Sequence, residues 1–99
     1  MKVGTVVILK KSCLGERQGA IGVCFYDYGS GGQIIFEKGG YDGFSEDEQQ
    51  MFLEVVGISE ELMDYNFKNV IQVSSDYSRG LFDIVLKEKK FANEINKAS

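Results

Sequence analysis

Two glycine-punctuated β segments, Gly4-Thr5-Val6-Val7-Ile8-Leu9 and Gly19-Ala20-Ile21-Gly22-Val23-Cys24-Phe25-Tyr26, flank a polar loop, Lys11-Ser12-Cys13-Leu14-Gly15-Glu16-Arg17-Gln18. β-branched and aromatic residues between glycines predict two paired strands, over 6–9 and 20–26, that coil sharply. Glycine gives the loop its positive φ and lets the second strand bend. With 12 glycines and no proline in the chain, every turn must be built by Gly, Asn, Asp or Ser. The next such turn, Asp27-Tyr28-Gly29-Ser30-Gly31-Gly32, leads into a third strand over 33–37, which makes a meander.

Downstream the pattern changes. Lys38-Gly39-Gly40-Tyr41-Asp42-Gly43-Phe44 reads as a tight change of direction, with Tyr41 and Phe44 stapling the following segment to the sheet. Ser45-Glu46-Asp47-Glu48 is a capping box, in which the Ser45 hydroxyl accepts from the Glu48 amide while Glu48 reaches back. It predicts a helix over 46–56, with Phe52, Val55 and Val56 covered, Asp47, Gln50 and Glu54 wet, and Gly57 as its stop. Ser59 followed by Glu60 and Glu61 repeats the signal, an N-cap with carboxylates on the positive end of the helix dipole, and predicts a short helix over 60–65. A late strand is expected over 69–73. Polar residues Asp83, Lys87, Lys90 and Glu94 recur at three- and four-residue spacing and favour a helix over 76–92, although residues 81–86 also fit a fifth strand. The whole is an α+β chain of 99 residues, one domain over 1–99.

Several function classes fall away on composition. A content of 43% hydrophobic and 26% charged residues is that of an ordinary soluble globule. The longest apolar runs, at 6–9 and 84–86, are far short of the roughly 20 residues that span a bilayer. Lys10 and Lys11 interrupt any signal-peptide stretch, so a cytoplasmic location is expected. The absence of histidine excludes Ser-His-Asp and Cys-His catalysis. Two thiols, Cys13 and Cys24, cannot close a four-ligand zinc site, and a reducing cytosol disfavours their pairing. The glycine-rich segment at 39–44 lacks the G-x-G-x-x-G and G-K-[ST] spacings of phosphate cradles, and three carboxylates follow it. No EF-hand spacing is present, and cap chemistry accounts for most of the clustered acids. The expectation is a non-enzymatic chain with no cofactor and no metal.

Charge layout gives the sharpest functional hint. Between Glu37 and Asp64 lie nine carboxylates against Lys38 alone, a local net of −8 in a chain of net −4. Such a block sets up a field that steers basic partners. A protein with a basic surface is therefore the expected partner, contacted through Asp47, Gln50 and Glu54 with Glu61 and Tyr41. The alternative is nucleic acid held by the basic loop, through Lys10, Lys11 and Arg17, with aromatics such as Phe25, Tyr26 and Tyr28 interleaved. Few cations accompany those aromatics, and the overall charge opposes a polyanion.

Over roughly residues 3–86 the chain resembles small SH3-like barrel proteins of the KOW type, found in Gram-positive bacteria and their phages and plasmids. The residues that carry the likeness are Gly4-Thr5-Val6-Val7, Gly19-Ala20-Ile21-Gly22-Val23, Ile35-Phe36, Tyr41-Asp42-Gly43-Phe44-Ser45 and Asn69-Val70-Ile71. The resemblance implies an SH3-like β-barrel with a helical insertion and a C-terminal helix. It also implies a mobile-element setting. Joined to the charge layout, that setting gives a more specific form of the protein-binding expectation, a small inhibitor that presents negative charge to a host nucleic-acid-binding protein. It brings no active residue, and the acidic segments after Ser45 depart from a minimal KOW module.

Overall fold

The computed structural model describes residues 1–13, 15–37, 39–64, 82 and 85. Its elements run β1 (Thr5–Leu9), β2 (Ile21–Asp27), β3 (Gly31–Phe36), β4 (Tyr41–Ser45), α1 (Glu46–Phe52), β5 (Leu53–Ile58) and α2 (Glu60–Met63). The strands form one antiparallel five-stranded sheet in the order β4-β3-β2-β1-β5. Strands β1 to β4 are the expected meander, extended by one strand, and β5 returns to the far side of β1. The described strands leave this sheet unclosed. Among the described residues no helix is long and apolar enough to cross a membrane.

Strand β1 is buried along its whole length because both faces of the sheet are covered, which is why Thr5-Val6-Val7-Ile8-Leu9 runs apolar rather than alternating. The two-residue period then sorts its side chains. Val6 joins Val23, Phe25 and Ile35 on one face, under Leu62 of α2 and the buried Phe82 and Val85. Val7 and Leu9 join Cys24, Ile34, Phe36, Phe44 and Leu53 on the other. Each such side chain contributes on the order of 1.5–3 kcal/mol by leaving water.

The helix expected over 46–56 ends at Phe52, and residues 53–58 are a strand. At Leu53 the backbone turns extended (φ −116°, ψ 137°), with its N–H closing the helix on the Gln49 carbonyl. Val55, Val56 and Ile58 are β-branched, and pairing with β1 from Leu9↔Leu53 to Thr5↔Ile58 captures them. Gly57 therefore stands opposite Val6 inside the ladder and does not cap a helix. The expected turn at 41–44 is strand β4, paired with β3 from Gly31↔Ser45 to Ile35↔Tyr41. Its glycine-rich composition hid a strand whose order comes from main-chain pairing. Phe44 is buried against Phe36, whereas Tyr41 is exposed and meets Phe25 edge-on at 6.1 Å between ring centroids.

The start after Ser59 is as expected, with α2 running from Glu60 to Met63. Ser59 is buried, and its hydroxyl accepts from the Leu62 amide. The Ser59 N–H donates to the Gly4 carbonyl, so α2 is anchored at the start of β1. Gly4 itself has φ +92°, and a Cβ there would lie 2.9 Å from the Met63 nitrogen. The strand expected over 69–73 lies outside the described residues. Of the segment 76–92, only Phe82 and Val85 are described, and both are helical.

Candidate interaction surface

The acidic surface begins at the capping box. The Ser45 Oγ accepts from the Glu48 N–H at 3.2 Å, and the Glu48 Oε1 accepts from the Ser45 N–H at 3.0 Å. The Ser45 backbone N–H, and after it the Ser45 side chain, hold the Glu48 carboxyl below its ordinary range. Glu46 and Asp47 complete an acidic first turn, where the helix dipole favours them. All nine carboxylates from Glu37 to Asp64 are exposed. Among the described residues the one ion pair joins the N-terminal amine to Asp27 at 3.4 Å, and none of the nine takes part in it.

The five residues expected to contact a partner are all exposed but do not form one helical stripe. Asp47 and Gln50 lie on α1, whereas Glu54 lies on β5 opposite Ile8, because the chain leaves the helix two residues earlier. Glu61 lies on α2, and Tyr41 starts β4. In the sheet order β4 and β5 are the two outermost strands, and α1 runs directly from one to the other. Helix α1 thus sets Asp47 and Gln50 between the two sheet margins that carry Tyr41 and Glu54.

The basic loop is folded on itself by reciprocal backbone bonds between Cys13 and Glu16. Lys10 is exposed, yet its Nζ donates to the Gln50 carbonyl at 2.6 Å, near the C-terminal end of α1. A lysine there satisfies a carbonyl that the short helix leaves open. Arg17 lines a cleft of about 320 Å³ together with Glu16, Gln18 and Glu37, so two carboxylates share the space that a phosphate would need. Lys11 is exposed on the same loop. The three cations are thus near one another in sequence but do not converge on an anion site.

The two thiols are free. Burial pushes the Cys24 thiol up to about 11, against a weaker opposing effect of the Tyr26 backbone, and its S–H donates to the Tyr26 carbonyl at 3.4 Å. Cys13 is raised too, by burial and by the carboxylates of Asp42, Glu16 and Glu48. Both therefore stay protonated near neutrality and are poor nucleophiles.

A further surface lies at the other end of the β2–β3 hairpin. The register shifts between Cys24, opposite Ile34, and Tyr26, opposite Gln33, so Phe25 is the extra residue of a β-bulge. The bulge places Phe25 and Tyr26 beside each other rather than on opposite faces. Tyr28 folds back so that its ring centroid lies 5.2 Å from that of Tyr26, with the planes 57° apart. A Cβ at Gly43 would stand 3.3 Å from the Tyr28 hydroxyl, so glycine there leaves the ring room over β4. Phe25, Tyr26, Tyr28 and Gln33 line a cleft of about 270 Å³. The Gln33 Oε1 is buried with no hydrogen-bond donor among the described residues. Sequence reasoning noticed these aromatics but not their convergence. The available signal was Tyr26-Asp27-Tyr28-Gly29, two tyrosines of one parity before a turn glycine. Compared with protein-family models, curated proteins and solved structures, the chain matches none.

Proposed function

We propose that the chain is a non-enzymatic protein-interaction module of SH3-like barrel type that docks a protein with a basic surface. The fold part of this proposal is supported by the four-strand meander, the short helix after it, and the return of β5 to the side of β1. The binding part is carried by one observation: nine exposed carboxylates between Glu37 and Asp64, none ion-paired among the described residues. A concentration of charge of one sign raises the encounter rate with a surface of the other sign and discourages partners of its own. A basic protein surface that ordinarily holds nucleic acid would be covered by such a module. Binding of nucleic acid by the chain itself has weaker support, since Lys10 is engaged by α1 and Arg17 shares its cleft with Glu16 and Glu37.

The test compares the wild type with Asp47→Lys/Glu54→Lys/Glu61→Lys in affinity capture from native cell extract, at low and at high salt. The expected result is capture of a basic protein by the wild type, weakened by salt and lost with the triple variant. Equal capture by both proteins would remove the acidic surface from the interaction. Salt-sensitive binding of RNA or DNA to the wild type, abolished by Lys11→Glu/Arg17→Glu, would instead establish the nucleic-acid alternative.

A further inference from the structure

We infer that the outer edge of β4 is a strand-pairing surface for a second copy of this chain, held shut in the single molecule by the side chains of Asp42 and Glu48. Ladder parity decides which main-chain groups form that edge. At one end of the β3–β4 ladder the Phe36 N–H donates to the Gly40 carbonyl at 2.8 Å, and at the other the Glu46 N–H donates to the Ser30 carbonyl at 3.2 Å. In an antiparallel pair every second residue exchanges bonds with the one opposite, so between those ends Asp42 and Phe44 turn their main-chain groups toward β3. Tyr41, Gly43 and Ser45 turn theirs outward. Among the described residues β4 is the outermost strand on that side of the sheet.

Two of the three outward N–H groups are already taken. The Gly43 N–H donates to the Asp42 Oδ1 at 2.7 Å, and the Ser45 N–H donates to the Glu48 Oε1 at 3.0 Å. Both carboxylates are exposed, and neither bond joins one strand to another. Their common effect is to present the carbonyls of Tyr41 and Gly43 as acceptors while withholding the donors that a further strand needs. An open edge is a template for pairing with another chain, and side chains that occupy it prevent this.

With the two carboxylates withdrawn, the pattern is self-complementary. A two-fold axis at Gly43 sets this residue opposite its own copy and Tyr41 opposite Ser45 of the second copy. The Gly43 N–H then reaches the Gly43 carbonyl of the second copy and the Ser45 N–H its Tyr41 carbonyl, each bond being made twice. Glycine at the axis brings no side chain, and Phe44 is buried in the core of its own molecule. The contact closes at two copies.

The test compares two double variants with the wild type by sedimentation equilibrium at neutral pH, from micromolar to millimolar protein. Asp42→Thr/Glu48→Ala opens both N–H groups, whereas Asp42→Asn/Glu48→Gln removes the same two charges and keeps both acceptors. The wild type and the Asn/Gln variant should stay monomeric, and the Thr/Ala variant should self-associate at least about tenfold more tightly than either. Asp42→Thr alone leaves the capping box whole and opens the Gly43 N–H, so it carries the measurement should the Thr/Ala variant fold poorly. Gly43→Pro deletes an outward donor and none that bonds β3, so adding it should return the Thr/Ala variant to a monomer. Amide hydrogen exchange locates the contact without that substitution: protection of Gly43 and Ser45 in the Thr/Ala variant should rise with protein concentration. A well-folded Asp42→Thr protein that stays monomeric at millimolar concentration would overturn the inference. So would an Asn/Gln variant that dimerises as tightly as the Thr/Ala one, a dimer whose Gly43 and Ser45 amides gain no protection, or a wild type that already pairs through those amides.

Discussion

Ser45 shows how much a single side chain decides locally. It ends β4, starts α1 and fixes Glu48, all through one hydroxyl and one backbone N–H. Ser45→Ala should lower unfolding stability by about 0.5–2 kcal/mol, read from denaturant midpoints at constant slope, whereas Ser45→Asp should nearly preserve it. Glu48 adds a pH dependence. Its folded pKa lies below the ordinary 4.5 because the Ser45 backbone and side chain hold the ionised form. The associated stability is therefore complete above that ordinary value and is lost as pH falls through the folded one. Asp27 behaves in the same sense, its carboxyl lowered chiefly by the Gly29 N–H. Glu48→Gln keeps a capping partner but cannot titrate, so its loss of stability between pH 7 and pH 3 should be smaller than that of the wild type. An identical acid profile would mean that the carboxylate makes no bond in solution.

At the scale of elements, the segment from Glu46 to Ile58 is the informative one. Its first half carries strong helix signals, and those signals were legible because capping is local chemistry between residues three apart. Its second half, Leu53-Glu54-Val55-Val56-Gly57-Ile58, is a short apolar run that a helix or a strand could accommodate. The decision falls to β1, some 45 positions earlier in the chain by the pairing Leu9↔Leu53, which no local pattern encodes. A bulge at Val6/Val7 then lets Val56 pack on the first core while Leu53 packs on the second. Leu53 is 4% exposed, so Leu53→Ala should cost about 2–5 kcal/mol in urea unfolding. Val55, 57% exposed, should tolerate alanine at a cost under about 1 kcal/mol. Were residues 53–56 a helix, alanine would be welcome at Val55 and the two costs would not separate in this way.

At the scale of the whole molecule, nine of the 15 carboxylates fall between Glu37 and Asp64, among them residues of both short helices and of strands β4 and β5. Like charges without described cation partners repel one another in the folded state more than in the expanded one. Raising sodium chloride from about 0.02 to 0.5 M shortens the screening length from tens of ångströms to a few and should raise the thermal midpoint. A midpoint that falls instead would show that attractive surface pairs dominate. Asp47, Glu54 and Glu61 are exposed, so their reversal to lysine should leave the fold within about 0.5 kcal/mol per site or stabilise it.

What the sequence by itself determined was local. The strands near 6–9, 20–26 and 33–37, the helix starts after Ser45 and Ser59, and the acidic block all rest on residues within a few positions of one another. Caps, periodicity and charge are interactions of that range, and they are written in order along the chain. Tertiary structure decided the rest. Strand β5 exists because β1 offers an edge to a segment of mixed preference, and β4 because β3 does the same for a glycine-rich one. The cleft of Phe25, Tyr26, Tyr28 and Gln33 depends on a one-residue bulge against β3 and on Gly43 of a third strand leaving room for a ring. Each of those contacts joins separate strands, from six positions apart at Ile35↔Tyr41 to 44 at Leu9↔Leu53, and their free energies exceed the few tenths of a kcal/mol by which local propensity separates helix from strand.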